Sequence, residues 1–291
     1  MYLQQLINGI ALGSTYALIA LGYTMVYGII TLINFAHGEI FMVGAFVGLL
    51  LVSVLKLNIF LAMGGAMLFC MVMGVVIELL AYRRLRRSSR LSALISAIGV
   101  SIFLSSLALM VFGADAKAFP EGAFPTHQLK IGEAEISTLQ LAIIGIAALL
   151  MLGLEFIVQK TRIGKAMRAT SEDYTAAALM GINVNRVISF TFALGSSLAA
   201  AGGVLVGLLF NAVNFNMGLM AGLKAFAAAV LGGIGSIPGA MLGGILLGVT
   251  EVFGVAIGYS SYRDAIAFAI LVLVLLFRPT GLMGQKIQKK V

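Results

Sequence analysis

Few residues in this chain could do chemistry, and those few are oddly placed. His37 and Glu39 stand two apart, with Asn34 just before them, in Ile33-Asn34-Phe35-Ala36-His37-Gly38-Glu39. This junction is a few residues long and lies between two long apolar runs. An imidazole and a carboxylate there read as the lining of a polar pathway or a gate, because ionisable groups within a membrane are functional by default. The competing reading is an ordinary solvated loop. Glu78 lies beside Tyr82 and Arg83, which suits a side chain that snorkels to the interface and pairs, and Glu155 is read in the same way. Glu251 lies deeper, and its neighbours assign it no role. The acids and histidines form no ordered series, which argues against a proton pump. No His/Cys/Asp/Glu cluster has metal spacing, and no Ser/His/acid arrangement stands out. Cys70, the one cysteine, lies in an apolar run and reads as a packing residue. Catalysis of covalent chemistry is not expected.

Nucleotide chemistry is not expected either. Gly233-Ile234-Gly235-Ser236-Ile237-Pro238-Gly239 has the wrong spacing for a dinucleotide fingerprint and sits between apolar helices. Arg162-Ile163-Gly164-Lys165 lacks the earlier glycine and the hydroxyl residue of a phosphate loop. The net charge of +8 is gathered in three short loops, the pattern of membrane connections rather than of a nucleic-acid surface.

The elements that must hold these residues are transmembrane helices. Apolar residues make up 61% of the chain and charged ones 10%, against about a quarter charged in soluble domains. Several runs exceed the roughly 18 residues that mark a spanning helix. The expectation is an all-α integral membrane protein, one domain over 1–291, with about eight or nine spans. They fall roughly at 5–30, 39–55, 59–82, 92–112, 139–158, 186–210, 219–234, 238–257 and 262–277. The first is too long for a signal-peptide core and lacks a basic leader, so it reads as retained. The 219–234 run is short and glycine-bounded, either a full span or a re-entrant segment, and such segments point to transport pathways. It mirrors the His37 junction and hints at an internal repeat. The pairs Gly9/Gly13, Gly44/Gly48, Gly203/Gly207, Gly239/Gly243 and Gly244/Gly248 suit close helix packing, mostly within one subunit.

Charge sets the orientation. The loop over 83–91 holds five arginines and is expected in the cytoplasm. The 113–138 loop carries an acidic excess and is then external, and 161–186 is cytoplasmic. The N-terminus falls outside, and the C-terminal tail, with Arg278, Lys286, Lys289 and Lys290, falls inside. Within 161–186 lies a short helix. Thr170 and Asp173 have capping-box spacing, with Ser171 as a second candidate cap, and Glu172 and Asp173 fall in its first turn. Gly181 is a natural stop, and Ala176, Leu179 and Met180 form one apolar stripe. Two turns do not hold alone in water, so this helix must rest on something.

Gly13-Ser14-Thr15-Tyr16-Ala17-Leu18, Tyr23-Thr24-Met25-Val26-Tyr27-Gly28 and the Ile33–Glu39 junction carry a resemblance, as do Leu94-Ile95-Ser96-Ala97-Ile98-Gly99, Met180-Gly181-Ile182-Asn183 and the run from Lys224 to Ala240. Together they resemble the permease subunits of bacterial branched-chain amino acid (leucine, isoleucine, valine) ABC importers. The likeness runs from about residue 5 to 283 and is weakest over 113–138.

The resemblance implies an ABC importer permease fold with short or broken helices, in the bacterial inner membrane. It implies a second, related or identical permease subunit, two cytoplasmic ATPases and a periplasmic amino-acid-binding protein. ATP would be bound by those partners, and this chain would hold no cofactor. It also matches 171–181 to a coupling helix gripped by the ATPase, with Glu172, Asp173, Leu179, Met180 and Gly181 as contact residues. Asn34, His37 and Glu39 would be the polar part of the pathway. Two alternatives share much of the sequence argument: an ABC permease for urea or short amides, and a stand-alone secondary transporter or channel.

Overall fold

The structure is a computed structural model that describes residues 2–86, 89–131 and 134–284. Arg87, Ser88, Glu133 and the tail lysines Lys286, Lys289 and Lys290 therefore lie outside the described residues. The helices are α1 (Tyr2–Ile30), α2 (His37–Ser53), α3 (Ile59–Ile77), α4 (Arg90–Phe112), α5 (Thr138–Lys160), α6 (Arg162–Glu172), α7 (Tyr174–Leu179), α8 (Val184–Phe210), α9 (Met217–Gly232), α10 (Ile237–Ala256) and α11 (Arg263–Phe277). A π-turn over Glu78–Tyr82 extends α3. Among the described residues, seven helices are long and apolar enough to cross a bilayer, while α2 and α9 are shorter.

Polar residues fix where the helices begin. Asn58, Ser89, Thr161, Asn183 and Ser236 each accept a backbone N–H in the first turn of the helix that follows. Ser137 and Gln140 form a reciprocal capping box on α5. The 113–138 segment, expected as a plain loop, contains a hairpin in which Gln128–Ile131 pairs with Ala134–Ser137. That hairpin marks one end of the bundle, which also holds the start of α1: the Glu135 N–H donates to Gln4 Oε1. The arginine-rich loop, α6 and α7 mark the other, basic end.

Small residues let the long helices touch. On α1, a Cβ at Gly9 or Gly13 would lie 2.6 Å from the Val249 or Ile245 backbone of α10. A Cβ at Gly244 would meet the Ala17 backbone at 2.4 Å, and one at Gly44 would meet Ala200 of α8 at the same distance. The glycine pairs thus pack this chain against itself. Cys70 is buried as expected.

The short helices are half-helices. The chain leaves α1 at the basic end, turns back through 31–36 and begins α2 beside Gly22. Gly22 is about 12 Å along α1 from that end, at 1.5 Å per residue. From there α2 runs to the hairpin end. Helix α9 starts where Gly218 faces Gly38 and Glu39, and runs the opposite way, to the basic end. Their N-termini meet inside the bundle.

Both are entered by one motif. Asn34-Phe35-Ala36-His37-Gly38 and Asn214-Phe215-Asn216-Met217-Gly218 share Asn-Phe-x-x-Gly. Each asparagine Oδ1 accepts the N–H two residues on, at 3.1 Å from Ala36 and 3.0 Å from Asn216. Each asparagine carbonyl accepts the N–H three residues on, at 3.0 Å from His37 and 3.3 Å from Met217. Elements α1–α4 recur in order as α8–α11 with reversed direction, and α1 packs along α10 as α8 packs along α3. The hinted repeat is present as an inverted one, the architecture that puts polar sites at midplane depth in many transporters.

Candidate pathway and docking sites

The junction at the start of α2 is buried, which excludes the solvated-loop reading. Asn34, His37 and Glu39 are each at most 2% exposed. The Asn34 Oδ1 accepts the Tyr82 hydroxyl at 2.9 Å, tying the junction to the π-turn after α3. The His37 ring lies over Gly22 and meets Tyr23 edge-on, with centroids 4.8 Å apart. Glu39 Oε1 accepts the Ser101 hydroxyl of α4 at 3.2 Å.

Each of the three side chains has unused capacity. Asn34 Nδ2, His37 Nε2 and Glu39 Oε2 are buried with no hydrogen-bond partner among the described residues. One such group costs about 1–3 kcal/mol, so three together call for a functional reason. Helix α4 is light on this side: Ser96 reaches the Ala81 carbonyl, Ser101 reaches Glu39, and Ser105 reaches the Phe215 carbonyl. The sequence reading missed Ser101 and Tyr82; the serine spacing on α4 was the available signal.

Gly22 makes the junction possible. A Cβ there would lie 2.2 Å from His37 Nε2 and 3.1 Å from the Gly195 carbonyl. Gly22→Ala is expected to displace His37 and cost about 1–3 kcal/mol, the usual price of overpacking. A thermal-unfolding series checks this. His37→Ala should relieve much of that cost in the double variant, so additive losses would show that the clash lies elsewhere.

The basic end holds the second site. The expected cap needs correction. Thr170 and Ser171 do not start a helix; their hydroxyls donate back to the Ala166 and Arg168 carbonyls inside α6. Glu172 is the last residue of α6, not the first turn of α7. Asp173 alone is the N-cap, with Oδ1 accepting from Thr175 N at 2.7 Å and Ala176 N at 2.9 Å. An acidic side chain caps two N–H groups at once, so it outcompetes the two hydroxyls. Gly181 does stop α7, with φ +82°.

The apolar stripe faces outward. Leu179 and Met180 are each 83% exposed, and Ala176 is exposed with them. Support comes from the opposite side, where Ala177 is buried and the Tyr174 hydroxyl donates to the Ile29 carbonyl near the end of α1. Burial pushes the Tyr174 phenol up from a value already well above neutral, so the hydroxyl is protonated and can donate. Beside it Glu78 is fully buried and paired with Arg83 at 2.9 Å and with Arg86. The expected pairing with Arg83 is present, but Glu78 is enclosed rather than snorkelling to an interface.

The comparisons agree with this architecture. Residues 5–275 match the family model described as the permease component of the branched-chain amino acid transport system. This chain belongs to that permease family. The high-affinity branched-chain amino acid transport permease BraD of Pseudomonas aeruginosa is 46% identical, over 100% of this chain and 98% of its own. LivH of Escherichia coli K12 shows the same identity and coverage. A probable branched-chain amino acid permease of Methanocaldococcus jannaschii is 28% identical over 92% of this chain and 88% of its own. Among solved structures, PsaBC of Streptococcus pneumoniae with a Fab matches with a TM-score of 0.50 and 16% identity, over 96% of this chain and 93% of that one, a likeness of fold alone. The chain is thus a multi-pass member of a family of transport permease components, with polar groups buried where its half-helices meet.

Proposed function

We propose that this permease carries branched-chain amino acids across the bacterial inner membrane, driven by ATP bound to separate subunits. The observation that carries the reading is α7: a capped helix, anchored to α1, that presents Leu179 and Met180 to whatever lies beyond the basic end. An exposed apolar ridge on a short rigid helix is suited to a partner's groove. The partner is an ATPase, contacted through Glu172, Asp173, Leu179, Met180 and Gly181. The basic end is then cytoplasmic, the C-terminus lies inside, and the N-terminus faces the periplasm. A second permease subunit completes the pathway, and a periplasmic binding protein delivers the amino acid.

Motion has a short route. Tyr174 holds the Ile29 carbonyl; α1 ends at Ile30, and 31–36 leads directly to His37. Displacement of α7 by the ATPases would move the entry to α2, where Asn34, His37 and Glu39 offer polar groups to the zwitterion.

Reconstitution with the partner permease, the ATPases and the binding protein tests this. Leucine uptake should require ATP, and urea should not compete. Uptake without ATP would remove the mechanism, and urea competition would favour an amide permease. Reversing charge at Glu172 and Asp173 together is expected to weaken ATPase association or coupling. Because losing the Asp173 cap costs about 1 kcal/mol, Asp173→Asn serves as the folding control.

A further inference from the structure

Four charged side chains meet on the other side of α1, away from His37. Glu251 of α10 is fully buried and accepts from the Tyr16 hydroxyl at 3.2 Å, from Lys224 Nζ of α9 at 2.9 Å, and from Arg263 Nε of α11. Lys224 Nζ also lies 2.6 Å from Asp264 Oδ1. Two cations balance two anions. Burial is graded: the Lys224 and Glu251 side chains are enclosed, whereas those of Arg263 and Asp264 are 34% and 53% exposed. The guanidinium carbon of Arg263 stands 5.5 Å from the centre of the half-exposed Phe210 ring.

We propose that Arg263, Asp264 and Phe210 form a recognition point for the zwitterion that this permease transports. The proposal rests on the amino-acid reading above and adds a site to it. An aliphatic α-amino acid needs a cation for its carboxylate, an anion for its ammonium and an apolar wall. The three residues supply these in order. A guanidinium suits a carboxylate because its planar fork offers parallel donors. Arg263 bonds Glu251 through Nε, which leaves its terminal amino groups for a ligand.

The buried pair makes the exchange affordable. When a carboxylate draws Arg263 away, Glu251 keeps Lys224 and Tyr16. When an ammonium takes Asp264, Lys224 keeps Glu251. The ligand brings one charge of each sign, so no net charge is added and no buried ion is left alone, the arrangement that would otherwise be costly. Tyr16 and Gly22 are six residues apart on α1, about 9 Å along the helix. The recognition point therefore lies nearer the hairpin end than the His37 junction, on the other side of α1.

The test uses the assembled complex in lipid nanodiscs. A single reporter thiol is placed beside the site as Tyr262→Cys in a Cys70→Ala background, and its maleimide labelling rate is followed. Leucine should slow labelling several-fold. Isocaproate, which lacks the ammonium, and isoamylamine, which lacks the carboxylate, should need at least roughly tenfold higher concentrations, the worth of one charge-assisted hydrogen bond. Arg263→Gln and Asp264→Asn should each abolish protection. The analogue series uses the intact network, so it stands even if a variant fails to assemble. An unchanged rate with leucine, equal protection by the analogues, or protection that survives both variants would overturn the site. ATP-driven leucine uptake by the same preparation reads the transport assignment separately.

Discussion

Aspartate at both Leu179 and Met180 will uncouple the permease: ATP-driven leucine uptake falls at least roughly tenfold, and less ATPase copurifies. Both residues are 83% exposed. Burying each side chain against a partner contributes about 1.5–3 kcal/mol. Replacing both forfeits that and puts two carboxylates into an apolar contact. The thermal midpoint of the isolated chain should stay put, because Ala177 and Tyr174, not the altered side chains, hold α7 to the bundle. Normal uptake in the double variant would mean that the ATPases grip another surface.

Lys224→Met will destabilise the bundle by about 3–5 kcal/mol, the usual result of removing one partner from a buried ion pair. Lys224 joins α9 to α10 through Glu251 and to α11 through Asp264. Its loss leaves the fully buried Glu251 with the Tyr16 hydroxyl and a partly exposed arginine. Lys224→Met combined with Glu251→Gln should recover much of the loss, since the uncompensated anion is then gone. Chemical or thermal unfolding in detergent reads both, and equal loss in the single and double variants would place the cost outside this pair.

Much of this was legible in the sequence. Apolar run length located the long helices, and the Gly9/Gly13 and Gly244/Gly248 pairs found each other in the α1–α10 seam. Gly181 stopped its helix, and the buried junction fell at Asn34, His37 and Glu39. The misses have physical causes. Thr170, Ser171 and Asp173 all have capping side chains, and only the competition between a carboxylate and two hydroxyls decides the boundary. Helix α6 was not expected, because, of its buried positions Gly164, Met167 and Thr170, which do fall at helical spacing, only Met167 carries a large apolar side chain. The resting face of α7 could not be read from Ala176, Leu179 and Met180, since Ala177 beside them is equally small and apolar. Glu251 needed partners from α1, α9 and α11, none near it in sequence. The inverted repeat hid behind three shared residues in five, Asn-Phe-x-x-Gly, and emerged only when both turns showed the same hydrogen bonds.

The meeting of the two half-helices also bears on biogenesis. A chain is threaded into the membrane from its N-terminus, so α2 is made long before α9. Until α9 arrives, the entry to α2 lacks the backbone of Gly218 and Gly222 that packs against Gly38. Irregular backbone and a carboxylate would then face lipid or water, which a bilayer tolerates poorly. The N-terminal half is thus an incomplete membrane protein that waits for its counterpart. Ribosome stalling or truncation before Met217 is expected to yield a species that quality-control proteases degrade faster than the full chain.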